Sequence, residues 1–199
     1  LRGERVREIV AIEVHRRDFD GMPGVEPQQK GPTKASRALA IVHIAMYDAW
    51  NGAKGTGNNY LGQGGRPSLP MPPLGTPLTP SAKSVSTAAA AVAGAAATAL
   101  NSQFDRQLLY VEEQLRKYCA MLSSSSLNVS QIRSFVDYGR AVAERLVNFR
   151  KTDGSEVSEF YVASGMPGDH RVDPYDPSQG YLGSRWGRVT PFCVSSPVG

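Results

Sequence analysis

Three histidines (His15, His43, His170), two cysteines (Cys119, Cys193) and the charged residues Arg37 and Asp48 are the groups in this chain whose chemistry has to be accounted for. Neither cysteine has a second cysteine or a histidine a few residues away, so neither fits a zinc-type spacing. His43 and Asp48 stand five residues apart and diverge around a helix, which argues against a metal pair. A lone helical histidine such as His43 reads as a hydrogen-bonded core or rim residue. There is no Gly-x-Ser-x-Gly elbow, no phosphate-cradling glycine motif and no His-Glu-x-x-His segment. The glycine-rich run from Gly52 to Gly65 does not join a strand to a helix, so it is not a nucleotide loop. The residues by themselves supply no catalytic set, no cofactor site and no metal site.

Two covalent modifications stay open. A Cys119–Cys193 disulfide would close a loop of roughly 75 residues and stabilise the fold by about 4 kcal/mol. The alternative is a small core residue at Cys119 and a free thiol at Cys193. Asn128-Val129-Ser130 is an N-glycosylation sequon, which points toward a secreted or extracellular protein. Asn128 also has the place of a helix N-cap, with Gln131 three residues on as in a capping box. A glycan and the cap would compete for one side-chain amide.

The elements that must hold these groups are helical, because period-3.6 patterns dominate and strand alternation is nearly absent. Residues 2 to 17 read as a first helix, and 34 to 50 as a second with Thr33 as its cap and Asn51-Gly52 as its stop. Thr79-Pro80 opens a third, alanine-rich helix with Val85, Ala88, Ala89, Val92, Ala96 and Ala99 on its face. Residues so small let a neighbouring helix approach closely, so it reads as the buried centre. A fourth helix runs from about Gln103 to Leu122, and a fifth from Val129 to Arg150 with Gly139 in its apolar stripe. Glycine costs a helix about 1 kcal/mol against alanine, a cost that makes sense where a partner helix crosses. The Gly/Pro-rich stretches 52–80 and 163–199 read as arms. The predicted architecture is therefore all-α: one helical domain over residues 1–199, a bundle of about five main helices with long Gly/Pro-rich loops.

Composition agrees. With 199 residues, 41% hydrophobic and 20% charged, the chain can bury a core. A net charge of +4 with basic residues no denser than Arg16-Arg17 names no nucleic acid as partner. The soft run Ala88–Leu100 is too short to span a bilayer. The chain opens on Leu1 rather than methionine and closes on Gly199 in loop-like sequence, so both ends read as cuts.

On the second helix Arg37, Ile41, Ile44 and Asp48 share one face, and Ala40, His43, Tyr47 and Trp50 the next. The helix is apolar nearly all round between them, so at least one of the two charges must be buried, which is costly unless paired. Eleven residues, about 16 Å, separate Arg37 from Asp48, so each needs its own partner. They either orient groups of a nearby active site or clamp neighbouring helices and loops, and the structural reading is favoured.

The segment Ala35-Ser36-Arg37-Ala38-Leu39-Ala40-Ile41-Val42-His43-Ile44-Ala45-Met46-Tyr47-Asp48-Ala49-Trp50-Asn51 resembles the N-terminal signature helix of vanadium-dependent haloperoxidase-like proteins, in the type 2 phosphatidic acid phosphatase superfamily. The alanine-rich helix with Leu100 and Phe104, then Gly139-Arg140-Ala141-Val142-Ala143 leading to Arg150 and Asp153-Gly154, follow in the order that family shows. So do Pro167-Gly168, Asp173-Pro174 and Trp186-Gly187-Arg188-Val189-Thr190-Pro191-Phe192. The resemblance covers residues 35 to 192 and implies the N-terminal half of a larger helical fold. It also keeps Trp186-Gly187 together with the second helix, which makes Arg185 and Arg188 the expected partners of Asp48.

Members of that family hold vanadate, or phosphate in the phosphatases, through a lysine, two arginines, a Ser-Gly-His segment and a final histidine. The first motif is lysine, six residues, then Arg-Pro. The sole Arg-Pro here is Arg66-Pro67, with Asn59 at the lysine position, and Ser-Gly-His is absent. No catalytic residue carries over. The resemblance thus implies peroxide-driven halide oxidation at a vanadate site supplied by a C-terminal half, with no cofactor bound by this chain alone. An acid phosphatase of the same superfamily, a non-catalytic extracellular interaction module and an unrelated helical binding domain are the alternatives. The expected partner is the C-terminal half of the same precursor or a second copy of this chain.

Overall fold

A computed structural model describes residues 11–18, 20, 24, 26–61, 84–124, 127–157, 161–178 and 180–193. Among them there are five α-helices and no strand; the one ladder contact is an isolated bridge between Asp173 and Asp176. The fold is all-α. No helix among the described residues is long and apolar enough to cross a membrane.

The chain divides into two compact units, Leu1–Arg150 and Lys151–Gly199. The reason is where apolar periodicity stops. Each helical stripe lies before Arg150, whereas described residues 161–188 are almost all exposed or half-buried. The second unit holds a short 3-10 turn, Trp186–Arg188, and a backbone bond from Thr190 N–H to the Asp153 carbonyl at 2.8 Å.

In the first unit, α1 covers residues 11–18 and buries Ala11 and Val14. Val6, Ile9 and Val10 lie outside the described residues. Helix α2, Pro32–Lys54, begins one residue before the expected Thr33 cap, because Gly31 takes φ 90° and Pro32 is preset for the first turn. It also runs a turn past the expected stop and ends at Gly55, whose φ of 65° is left-handed. Asn51 and Ala53 are buried in that extra turn.

Helix α3, Val85–Gln103, is the centre. Ser84 caps it by accepting the Thr87 N–H at 3.1 Å, and nearly every residue after Ser86 is buried. The expected start at Thr79-Pro80 lies outside the described residues, and Val85, expected on the core face, is exposed. The chain then breaks at the fully buried Phe104 (φ −136°, ψ 61°) and makes a 3-10 turn, Asp105–Gln107. Helix α4 accordingly spans Leu108–Ser123, five residues later than the pattern suggested, and Leu108 is left exposed.

Helix α5, Val129–Arg150, has the predicted bounds. Asn128 Oδ1 accepts the Gln131 N–H at 2.9 Å and Gln131 Oε1 accepts the Asn128 N–H at 3.1 Å, so the capping box is formed. The predicted crossing at Gly139 is with α3. A Cβ on Gly139 would overlap the Ala91 carbonyl, and one on Gly94 the Val136 carbonyl. Two glycines, one on each helix, bring the backbones into contact, and α2 and α4 pack on the remaining sides of α3.

Candidate functional site

Arg37 and Asp48 are both buried, Arg37 at 9% exposure and Asp48 at 1%. Arg37 Nη1 donates to Gln103 Oε1 at 3.2 Å and Nη2 to the Arg150 carbonyl at 2.9 Å. Gln103 ends α3 and Arg150 ends α5. A fixed cation therefore sits where α5 has a carbonyl without an intrahelical donor and where the helix dipole is negative. This is a clamp between three helices.

Asp48 is clamped by backbone groups. Its Oδ1 accepts the Tyr60 N–H at 2.7 Å, and the Leu61 backbone adds a second bond. Its backbone donors thus come from the segment just after α2. The physical reason is local: α2 ends at Gly55, so the chain turns back and reaches its own helix within a few residues. Leu61 is buried at the end of that return.

Two groups on α5 complete the Asp48 surroundings. Burial pushes the Asp48 carboxyl above its usual range, while the two backbone bonds and the nearby Arg145 charge act in the opposite sense. Arg145 is itself lowered by burial, against the pull of Asp48 and Tyr138. Tyr138 is 5% exposed and burial pushes its phenol up to about 12, so it stays neutral near pH 7. Sequence reasoning missed Tyr138 and Arg145. Their spacing of seven residues, one face of α5, was the available signal. It also missed that Arg150 is buried, at 1% exposure, and that Asp18, at 3%, pairs with Arg106 at 3.1 Å.

His43 lies on the exposed side of α2, its Nδ1 2.8 Å from the carbonyl of Leu39 one turn back. It sits on the exposed rim of the helix. Trp186 is half-buried in the second unit, with its backbone N–H donating to the Gly183 carbonyl at 2.9 Å. Both cysteines are free thiols, Cys119 half-buried and Cys193 exposed. Cys119 is half-buried on α4 and burial raises its thiol, which suppresses the thiolate that disulfide exchange requires. Asn128 is exposed and its carbonyl oxygen is committed to the α5 cap.

These residues do not converge. Arg37 and Asp48 occupy separate ends of α2, and among the described residues no three of His, Cys, Asp and Glu are grouped to hold a metal. Oxyanion binding needs several cationic donors aimed at one point. Arg37 spends both terminal nitrogens on helix ends, so the described arrangement does not fit vanadate or phosphate. A further concavity of about 220 Å³ lies between α3 and α4, lined by Ala93, Ala97, Leu100, Val111, Leu115 and Met121 among others. Its walls are apolar and carry no reactive group beyond the rim residues Lys117 and Tyr118.

No curated protein and no solved structure matches the chain. The family model described as the vanadium chloroperoxidase N-terminal domain matches residues 10–179, which takes in the Arg37 clamp, the Asp48 clamp and the glycine crossing. The chain belongs to the vanadium chloroperoxidase N-terminal domain family.

Proposed function

We propose that this chain is the helical N-terminal portion of a vanadium haloperoxidase-like enzyme, and that the oxyanion site of the complete enzyme is supplied by a C-terminal portion. The family match over residues 10–179 carries the reading. Its division of labour is supported by the chain's chemistry: Ser-Gly-His is absent and Asn59 stands where the lysine motif would need lysine. The buried Arg37 is already engaged by Gln103 and Arg150.

In the complete enzyme, vanadate supplies the centre at which peroxide oxidises a halide to a hypohalous species. The described residues take no step in that reaction. They build a rigid helical body, with α3 gripped by its neighbours, against which the catalytic portion is held. The partner surface includes exposed Tyr47 and His43 on α2 and the apolar concavity between α3 and α4. The partner is the C-terminal half of the same precursor.

The experiment is reconstitution. The purified chain is assayed for vanadate-dependent bromide oxidation alone and mixed with the protein encoded downstream of it. Turnover only in the mixture is expected. Turnover by this chain alone, or a downstream sequence with no oxyanion ligands, overturns the reading.

A further inference from the structure

The structure separates the two demands that the sequence placed on Asn128. The side chain has one oxygen and one nitrogen, and the capping box uses the oxygen. Oδ1 accepts the Gln131 N–H at 2.9 Å and the Ser130 hydroxyl at 2.7 Å. Only the oxygen can accept a backbone N–H, so the amide orientation is fixed by the cap. Nδ2 is then left with no hydrogen-bond partner among the described residues. Asn128, Val129, Ser130 and Gln131 are all exposed, so no described packing stands over the amide.

We propose that Asn128 is an N-glycan acceptor whose modification leaves the α5 cap intact. The co-reactant is a lipid-pyrophosphate-linked oligosaccharide, delivered in a secretory compartment. The Nδ2–C1 bond forms, the C1–O bond to the lipid pyrophosphate breaks, one amide proton passes to the transferring enzyme and the lipid pyrophosphate leaves. The product still presents Oδ1, so the first turn of α5 keeps its acceptor. The hydroxyl of Ser130, already bonded to Oδ1, is the sequon group that the transfer requires. The sugar would stand at the start of α5, a place where no catalytic role is assigned to this chain. The inference is independent of the oxyanion reading.

The test uses the full chain in two forms, purified from its natural source and secreted from a eukaryotic host. Peptide mapping should find a glycan on Asn128 in both, lost in Asn128→Gln and in Ser130→Ala and kept in Ser130→Thr. Ser130→Ala keeps the capping asparagine, so its loss of glycan cannot be blamed on a broken helix end. Amide exchange at Gln131 should be equally slow with and without the sugar. An unmodified Asn128 in the natural protein or in the secreted chain overturns the acceptor assignment. A Gln131 amide that exchanges rapidly once the glycan is attached overturns the intact cap.

Discussion

Arg37 donates to the backbone carbonyl of Arg150 at 2.9 Å, across 113 residues of sequence. That single bond joins the first turns of α2 to the last turn of α5, and the neighbouring bond to Gln103 joins both to the end of α3. Three helix ends depend on one guanidinium.

Arg37→Met should therefore destabilise the first unit by about 2 to 4 kcal/mol, because it removes the buried donor to the Gln103 amide oxygen and the Arg150 carbonyl. Arg37→Lys should recover only part of this, since a single ammonium cannot reproduce the two-pronged fork. Chemical denaturation of the three proteins reads the difference. The exposed Lys34→Ala, one turn earlier, should stay within about 0.5 kcal/mol of wild type.

Gly139→Ala tests the helix crossing. By helix propensity alone the change should stabilise α5 by about 1 kcal/mol. The new Cβ would overlap the Ala91 carbonyl, which is backbone and cannot rotate away. Packing should win, with a net loss of more than about 2 kcal/mol as α3 and α5 are forced apart. Gly94→Ala should behave alike against Val136. A melt that rises in either variant would show that the two backbones do not touch.

How much of this was legible depended on the range of the interaction. Helix α5, its cap and its glycine crossing were readable because periodicity, an Asn-x-x-Gln cap and one costly glycine are all local signals. The bounds of α2 were shifted because Pro32 and Gly55 decided them, and both lay outside the apolar stripe. The burial of Arg37 and Asp48 followed from the apolar face between them, but their partners did not. Gln103 and Arg150 are distant in sequence, and Tyr60 offers Asp48 a backbone group, which no residue pattern announces. The recess between α3 and α4 was equally invisible, since it is made by small alanines facing longer side chains.

The Tyr138 phenol predicts an alkaline limit. Its folded pKa of about 12 lies above the ordinary tyrosine value, so the folded state holds the proton more tightly than the unfolded chain. The associated stability is fully present below about pH 10 and is lost as pH rises from there through 12. After allowance for solvent screening the loss should be on the order of 1 to 2 kcal/mol. Tyr138→Phe removes the ionisable group, so its melting temperature should fall less steeply across that window.

Asp48 gives the opposite end of the pH scale and the sharpest test of the α2 clamp. Burial raises its carboxyl above the unfolded value, against the backbone bonds and Arg145. A group raised in this way binds its proton more tightly when folded, so its contribution is present at acid pH and lost as pH rises through the folded pKa. Stability should thus gain slightly on acidification through the upper carboxylate range, and Asp48→Asn should flatten that response. The same variant keeps an oxygen for Tyr60 but has only one acceptor oxygen in place of two, so it should cost about 1 to 2 kcal/mol at neutral pH. Asp48→Ala leaves both backbone donors stranded beside buried Leu61 and should cost more, about 2 to 4 kcal/mol. Exchange at the Tyr60 amide should accelerate in Asp48→Ala ahead of global unfolding, because the return of the chain onto α2 hangs on this carboxylate. Equal protection of Tyr60 in wild type and Asp48→Ala would mean that Leu61 burial alone holds the return.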